Sequence, residues 1–365
     1  MREKISILVG ARPNYIKVAL VQLKLRPYFD VSIIHTGQHY GSGMVESNIV
    51  PFVLPVTHQI NSSTSNIQDL LSEILVVLKQ IDPKIVMVVG DVNSTLAGAM
   101  AAKVLGKKLC HIEAGLRCGD PFMPEERNRI LTDTLSDILF CTQRAAVAQL
   151  MLEFGGSGKH VLYSGQTLLD PLVDLIEHGY VTKYRLLEDY GVVTLHRDNL
   201  LNNCEKLEST CYNIRHIATK QKVNLVLHPH LLNKLKEYDL LRVLSSADNI
   251  NLMDPMPYLD FVRMVSKSCW VITDSGGLQQ ESALLNIPTV VYRETTEHTI
   301  LNELSDRLLV SNNIDSIELF LLNWAKIIGT TVGTNEEMLK EAYCDGLSST
   351  SVAKQLINYC ESGVI

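Results

Sequence analysis

Short runs of β-branched and other apolar residues recur along the chain, separated by longer stretches with helical periodicity. In the first half the runs are Ile5–Val9, Val31–Ile34, Ile85–Val89, Leu109–Ile112, Ile138–Cys141 and Val161–Ser164. They are continuous rather than alternating, the pattern of strands buried on both faces of a parallel sheet. Helical segments such as Asn66–Gln80 and Ser94–Leu105 lie between them. A second series comprises Gly191–Leu195, Asn224–Leu227, Ile250–Met253, Trp270–Thr273, Thr289–Tyr292 and Leu308–Val310. Strand–helix alternation of this kind predicts right-handed βαβ units. The pattern therefore predicts an α/β protein of two doubly wound domains. The first spans 1–167 and the second 168–344, joined by a long helix-like connection over about 166–188. A last helical segment, about Asn335–Tyr359, is expected to cross back and cap the first domain with residues 345–365.

Composition narrows the class. The chain has 365 residues, 46% of them hydrophobic and 20% charged. That is apolar enough to offset the conformational entropy of folding, and long enough for two cores. The formal net charge of −7 lacks the basic excess of a nucleic-acid-binding protein. No apolar run reaches the roughly 20 residues that a membrane helix needs. The run Ile5–Val9 is too short for a secretory signal, and the eight cysteines contain no Cys-x-x-Cys. A cytoplasmic protein with reduced thiols, and with neither nucleic acid nor membrane as partner, is expected.

In open α/β sheets ligands sit at the carboxyl ends of the strands, so the polar residues just after each strand carry the candidate chemistry. Gly10-Ala11-Arg12-Pro13-Asn14-Tyr15-Ile16-Lys17 follows the first strand. Pro13 suits a first helical turn, and Arg12 and Lys17 stand near a helix N-terminus, where an anion is favoured. The same residues also read as a plain βα turn with solvated cations. The second strand ends in Thr36-Gly37-Gln38-His39, and the third in Gly90-Asp91, where Asp91 reads as an acid/base group or as an N-cap. His111-Ile112-Glu113 ends the fourth. A Glu among apolar neighbours has to be paired or used, and Arg117 is an available partner. Pro124-Glu125-Glu126-Arg127-Asn128-Arg129 opens a helix. Asp91, Glu113 and Glu125 then place three carboxylates on one rim, which folding alone does not require.

In the second half, Thr194-Leu195-His196-Arg197 and Leu227-His228-Pro229-His230 each put a His at a strand end. No His-Glu-x-x-His or Asp-x-Asp is present, so no metal is expected. Thr273-Asp274-Ser275-Gly276-Gly277-Leu278-Gln279-Gln280-Glu281 is the sharpest local signal. A strand ends, small residues follow and a helix begins. The N–H groups of Ser275, Gly276 and Gly277 suit a diphosphate, and Glu281 suits a ribose diol. Arg293-Glu294-Thr295-Thr296-Glu297 ends the next strand on the same edge.

Eight of these motifs, all but Leu227-His228-Pro229-His230, in this order over nearly the whole chain, resemble the non-hydrolysing UDP-N-acetylglucosamine 2-epimerases. The resemblance implies a GT-B fold, two Rossmann-like domains with the active site in the interdomain cleft, and a homodimer. It implies interconversion of UDP-N-acetylglucosamine and UDP-N-acetylmannosamine for surface polysaccharide synthesis, by elimination of UDP to 2-acetamidoglucal and re-addition, without a cofactor. Residue by residue, it implies catalytic roles for Asp91, Glu113, Glu125 and His196, and UDP binding by Arg12, Ser275, Gly276, Gly277 and Glu281. Lys17, Arg117, His228 and Arg293 fall at further ligand-binding positions. The chain departs from common bacterial members in having Asn14-Tyr15 after Arg12-Pro13, a shortened stretch between Met44 and Asn66, and His298-Thr299 after Glu297. With no Arg in residues 41–66, substrate activation through a second nucleotide sugar there is not expected. Three alternatives share the motifs: a hydrolysing relative releasing UDP and N-acetylmannosamine, a 2-epimerase of a modified sugar such as a diacetamido uronate, and a glycosyltransferase. A non-catalytic nucleotide-sugar-binding module is the alternative of another class.

Overall fold

A computed structural model describes residues 2–37, 56–60, 66–294, 306–335 and 347–363, with the side chains of Arg12 and Ala325 outside the description. The expectations placed on Gln38-His39, on most of the stretch between Met44 and Asn66, on Thr295–Thr299 and on the start of the last helix lie outside these residues. Backbone contacts divide the chain into two compact units, Met1–Val173 together with Lys340–Ile365, and Asp174–Leu339.

The first unit is built on a parallel sheet. Its strands are β1 (Lys4–Val9), β2 (Asp30–His35), β3 (His58–Gln59), β4 (Ile85–Val89), β5 (Lys108–Ala114), β6 (Ile138–Cys141) and β7 (His160–Tyr163). Among the described residues their spatial order is β3-β2-β1-β4-β5-β6-β7. Every residue of β4 and β6 is buried, as the continuous apolar runs require. Between the strands run α1 (Arg12–Leu25), α2 (Ile67–Ile81), α3 (Asn93–Val104), α4 (Pro124–Leu135) and α5 (Arg144–Phe154). In α2, Leu70, Ile74, Leu78 and Ile81 recur at helical spacing and form its buried face. Asn66 caps this helix by accepting a hydrogen bond from Gln68 N at 2.8 Å. The order reverses between β1 and β4. The connections leaving these two strands therefore diverge to opposite faces and open a crevice at their carboxyl ends.

The expected long helix over 166–188 is shorter in the structure. Only α6 (Asp170–Glu177) is helical, because Gly179 N closes on Ile176 O and Val181 N turns back to Leu175 O. The chain then forms the short strand β8 (Arg185–Leu186), where Arg185 is buried and donates to the carbonyls of Thr182, Lys183, Ser266 and Leu285.

The second unit repeats the plan with β9 (Tyr190–Thr194), β10 (Lys222–Val226), β11 (Ile250–Met253), β12 (Trp270–Thr273), β13 (Thr289–Val291) and β14 (Leu308–Val310). The order β11-β10-β9-β12-β13-β14 is parallel throughout and reverses between β9 and β12. Helices α7 (Asp198–Leu201), α8 (Cys204–Ala218), α9 (Pro229–Glu237), α10 (Leu241–Ser245), α11 (Tyr258–Lys267) and α12 (Gly276–Leu284) connect the strands. Leu207, Ile214, Leu225 and Ile272 belong to one apolar core. Gly191 in β9 is needed for close approach: a Cβ there would lie 2.1 Å from the Trp270 ring. The helix Ser348–Glu361 packs in the first unit, where Gln355 Nε2 donates to Tyr163 O at 3.0 Å. The buried Asp170 carboxylate accepts the N–H groups of Ser348 and Ser349 at its start.

Candidate active site

In the first unit the polar residues converge at the β1/β4 crevice. Asn14, in the first turn of α1, is 3% exposed and ties the two connections together. Its Oδ1 accepts from Ala11 N at 2.8 Å and its Nδ2 donates to Val89 O at 2.9 Å. Gly90 follows with φ +73°, and a Cβ there would meet Asn14 Nδ2 at 2.7 Å. Only glycine fits both the backbone angle and the space.

Glu113, near the end of β5, has φ +72° in a left-handed conformation that glutamate rarely adopts, and the pairing of β5 with β6 slips between Ile112 and Ala114. The bend carries the carboxylate to Lys17, with which Glu113 forms an ion pair, both side chains being largely buried. Arg117, the partner that its position suggested, goes elsewhere. It is ion-paired to Asp133 and Glu153 at 2.7 Å each.

Asp91 does not cap α3, whose N-cap is Val92. Its Oδ2 instead accepts from Arg129 Nη2 at 2.7 Å and Nε at 3.0 Å, and its carbonyl accepts from Asn128 Nδ2 at 2.9 Å. Arg129 also pairs with Glu126 at 2.7 Å, and Glu126 accepts the N–H groups of Cys118 and Gly119. Burial pushes the Glu126 carboxyl up, but these N–H groups and Arg129 outweigh it and hold it below the usual range. Glu125, its neighbour, is exposed. The structure thus brings Asp91, Glu113 and Lys17 around Gly90, while Glu125 is exposed in the first turn of α4, beside Glu126. Asp91 Oδ1 and Glu113 Oε1 accept no hydrogen bond from the described residues, which leaves lone pairs for a proton.

Beneath them lies a buried network. His111 Nδ1 contacts Asp133 Oδ1 at 2.7 Å and its Nε2 contacts Gly90 O at 2.8 Å. Asp133 Oδ2 accepts Gly115 N at 3.1 Å and Arg117 Nη1 at 2.7 Å. Burial pushes the Asp133 carboxyl up, yet His111 and Arg117 hold it below the ordinary range. One carboxylate thereby fixes the backbone at both Gly90 and Gly115, beside Asp91 and Glu113.

The second unit assembles its site at the β9/β12 reversal. His196 Nδ1 lies 2.8 Å from Asp274 Oδ1, and the Asp274 carboxylate also accepts the N–H groups of His196 and Arg197, each at 2.9 Å. Burial pushes the Asp274 carboxyl up; His196 and these N–H groups outweigh it and hold it low. Ser275 is the N-cap of α12, its Oγ accepting from Leu278 N at 3.3 Å. The expected triad of ligand-facing N–H groups is reduced. Ser275 N donates to Thr273 Oγ1 at 3.0 Å, because the hydroxyl two residues back closes a turn. The N–H groups of Gly276 and Gly277, first in the helix, lack intrahelical acceptors. Glu281 is buried and takes the Tyr258 hydroxyl on Oε1 at 2.6 Å. Arg293 is buried, with Nε donating to Asp274 O at 2.8 Å, so it clamps the turn that leads into α12. His228, exposed at the N-cap of α9, accepts His230 N on Nδ1 at 3.3 Å, and its ring centroid is 5.8 Å from that of His196.

Asn14, Arg129, Asp133, Tyr258 and Asp274 were not among the sequence candidates. One signal was available for α4. Glu126, Arg129 and Asp133 recur at spacings of three and four on one face, with no apolar stripe to replace them. A helix whose buried face is charged points to a network under a site. Chemically, the first constellation offers carboxylates beside cations for proton transfer. The second offers a helix N-terminus and an imidazole for an anion. Among the described residues no group of three or more His, Cys, Asp or Glu is arranged to hold a metal ion, and no helix is long and apolar enough to cross a membrane.

The sequence profile of the UDP-N-acetylglucosamine 2-epimerase family matches residues 21–357. A UDP-N-acetylglucosamine 2-epimerase of Methanococcus maripaludis is 34% identical over 331 residues, 86% of this chain and 89% of the relative. A UDP-2,3-diacetamido-2,3-dideoxy-D-glucuronate 2-epimerase of Pseudomonas aeruginosa is 32% identical over 97% of this chain and 99% of its own length. The crystal structure of Methanocaldococcus jannaschii UDP-GlcNAc 2-epimerase in complex with UDP-GlcNAc and UDP superposes with a TM-score of 0.82 at 29% identity, covering 97% of this chain and 99% of that one. The architecture is therefore the GT-B fold, with two Rossmann-like domains.

Proposed function

The chain belongs to the UDP-N-acetylglucosamine 2-epimerase family, and from that premise we propose that it interconverts UDP-N-acetylglucosamine and UDP-N-acetylmannosamine without hydrolysis. The hydrogen on carbon 2 is not acidic in the ground state, because that carbon carries an acetamido group and has no carbonyl beside it. Breaking the C1–O bond makes C1 cationic and acidifies that hydrogen. UDP leaves with the bonding pair, a carboxylate takes the C2 proton, and 2-acetamidoglucal forms. Return of a proton to the opposite face, with re-formation of the C1–O bond, inverts carbon 2. Atoms and electrons balance without an oxidant, and no cofactor enters.

In this reading the first unit does the proton chemistry. Asp91, Glu113 and Glu125 stabilise the cation and move the proton, and Lys17 holds Glu113. Arg117 acts from behind, through Asp133. The second unit receives the leaving group. Gly276, Gly277 and the Ser275 cap face the diphosphate, Glu281 takes the ribose, and His196 and His228 attend the phosphate oxygens; UDP binding by Arg12 rests on the family membership alone. Arg293 holds the turn. The observation that carries the proposal is Glu113, a carboxylate held in a left-handed backbone beside Gly90, Asp91 and Lys17. We place the enzyme in the cytoplasm as a homodimer that supplies polysaccharide synthesis.

The test is product analysis by NMR with UDP-N-acetylglucosamine, with no added metal or nicotinamide. UDP-N-acetylmannosamine is the expected product. Glu113→Gln and Asp91→Asn should lose turnover by at least about 100-fold while still binding UDP. Free N-acetylmannosamine as the main product, or normal rates in both variants, would sink the reading. The Pseudomonas relative favours a second substrate, the UDP-diacetamido uronate, which the same assay distinguishes by comparing kcat/KM for the two sugars.

A further inference from the structure

His196 and His111 each put Nδ1 on a buried aspartate, His196 at the β9/β12 reversal and His111 on β5, next to the reversal strand β4. Their second nitrogens differ. In His111 the Nε2 faces Gly90 O and the ring is wholly buried, so the residue is finished as a structural element. In His196 the side chain is 39% exposed and Nε2 has no partner among the described residues. The Asp274 carboxylate can only accept from Nδ1, because its oxygens already take the N–H groups of His196 and Arg197. The proton of a neutral His196 ring therefore sits on Nδ1, and the lone pair on Nε2 points outward. The carbonyl of Asp274 is clamped by the buried Arg293, and the next residue, Ser275, caps α12. One residue thus joins the imidazole to the helix N-terminus that receives the diphosphate.

We infer that Asp274 is a positioning residue that fixes the tautomer and direction of His196, so that Nε2 is the nitrogen presented to the phosphate oxygen of the leaving group. This rests on the phosphate-side role given to His196 above. The pairing is the orienting half of a catalytic triad, in which a buried carboxylate selects the imidazole tautomer without being protonated itself. His228 is the counter-case. Its Nδ1 accepts the His230 N–H, so its neutral ring carries the proton on Nε2.

The inference is tested first by ¹⁵N NMR of the histidine-labelled full-length protein at a pH where the ring is neutral. The His196 resonance is assigned by its loss in His196→Ala. A protonated Nδ1 and an unprotonated Nε2 are expected; the reverse tautomer overturns the inference, whatever the enzyme turns out to do. Asp274→Asn keeps one oxygen for the backbone N–H groups but turns an amide N–H toward Nδ1. It should invert the tautomer and lower kcat by about 100-fold or more, with KM and UDP affinity within about threefold. Retention of kcat within threefold also overturns it. A double variant guards against a merely structural effect. If Asp274 acts through His196, Asp274→Asn added to His196→Ala lowers kcat by less than about threefold beyond His196→Ala alone, and a further large loss overturns the inference. Absence of epimerase turnover in the wild type would refute the proposed function instead, while the tautomer measurement stands apart from it.

Discussion

Replacing Lys17 by Met leaves the Glu113 carboxylate without its cation. The two side chains are 12% and 9% exposed, so water cannot take over the role of the ammonium. Removing one member of a buried pair costs about 3–5 kcal/mol, and the slight exposure here puts the loss near the lower end, about 3 kcal/mol. Glu113→Gln in the Lys17→Met background removes the stranded charge, so the double variant should recover about 2 kcal/mol of coupling. The assay is hydrogen exchange of the amides in α1 and β5 during urea unfolding. A chain of two units need not unfold in one transition, and these elements report the first unit alone. Epimerase turnover should fall in both single variants and stay low in the double, because stability is restored but the proton acceptor is not. Single losses that sum to the double-variant loss within about 0.5 kcal/mol would refute the argument that the pair is coupled through burial.

Gly191→Ala forces a methyl onto Trp270, which is 2% exposed and has no room to swing away. Overpacking of this degree should destabilise the second unit by about 3 kcal/mol, read as a lowered urea midpoint, and an unchanged midpoint would contradict the packing. Asp170, buried at the start of the last helix, has its carboxyl pushed by burial from an ordinary 3.8 up to about 6. A raised acid favours the folded state below the unfolded value, and that stability is lost as the pH climbs through the folded one. Between about pH 4 and pH 6 the first unit should therefore lose about 3 kcal/mol through this group, and Asp170→Asn should flatten that part of the profile. A parallel profile in the variant would refute it.

The strands were legible because both faces of each sheet are covered, which writes a parallel strand as an unbroken apolar run; β4 and β6 show it most plainly. The strand ends that carry the candidate chemistry were legible through small residues and charges, such as Gly90-Asp91 and Ser275-Gly276-Gly277, whereas the strand order that makes two of them reversal points was not. What stayed hidden was pairing. Nothing in the local sequence says that Glu113 turns to Lys17, 96 positions away, rather than to Arg117 four residues on. That choice comes from the left-handed backbone at Glu113 and from the competing pull of Asp133 on Arg117. The partner of the Ser275 amide is hidden for a similar reason. Its acceptor, Thr273 Oγ1, depends on a side-chain rotation that residue type does not encode. The length of α6 was overestimated because the polar-interrupted stretch after Glu177 keeps helical composition. The buried Arg185 there needs loop carbonyls to satisfy its guanidinium.

Turnover of UDP-N-acetylglucosamine in deuterated water, followed at the sugar's carbon 2 by proton NMR, tests the central claim most directly. A carboxylate of the first unit that exchanges with solvent should leave deuterium at that carbon in the UDP-N-acetylmannosamine formed. Product that keeps its original hydrogen at carbon 2 in full would contradict elimination and re-addition, and with it the acid/base role assigned to Asp91 and Glu113.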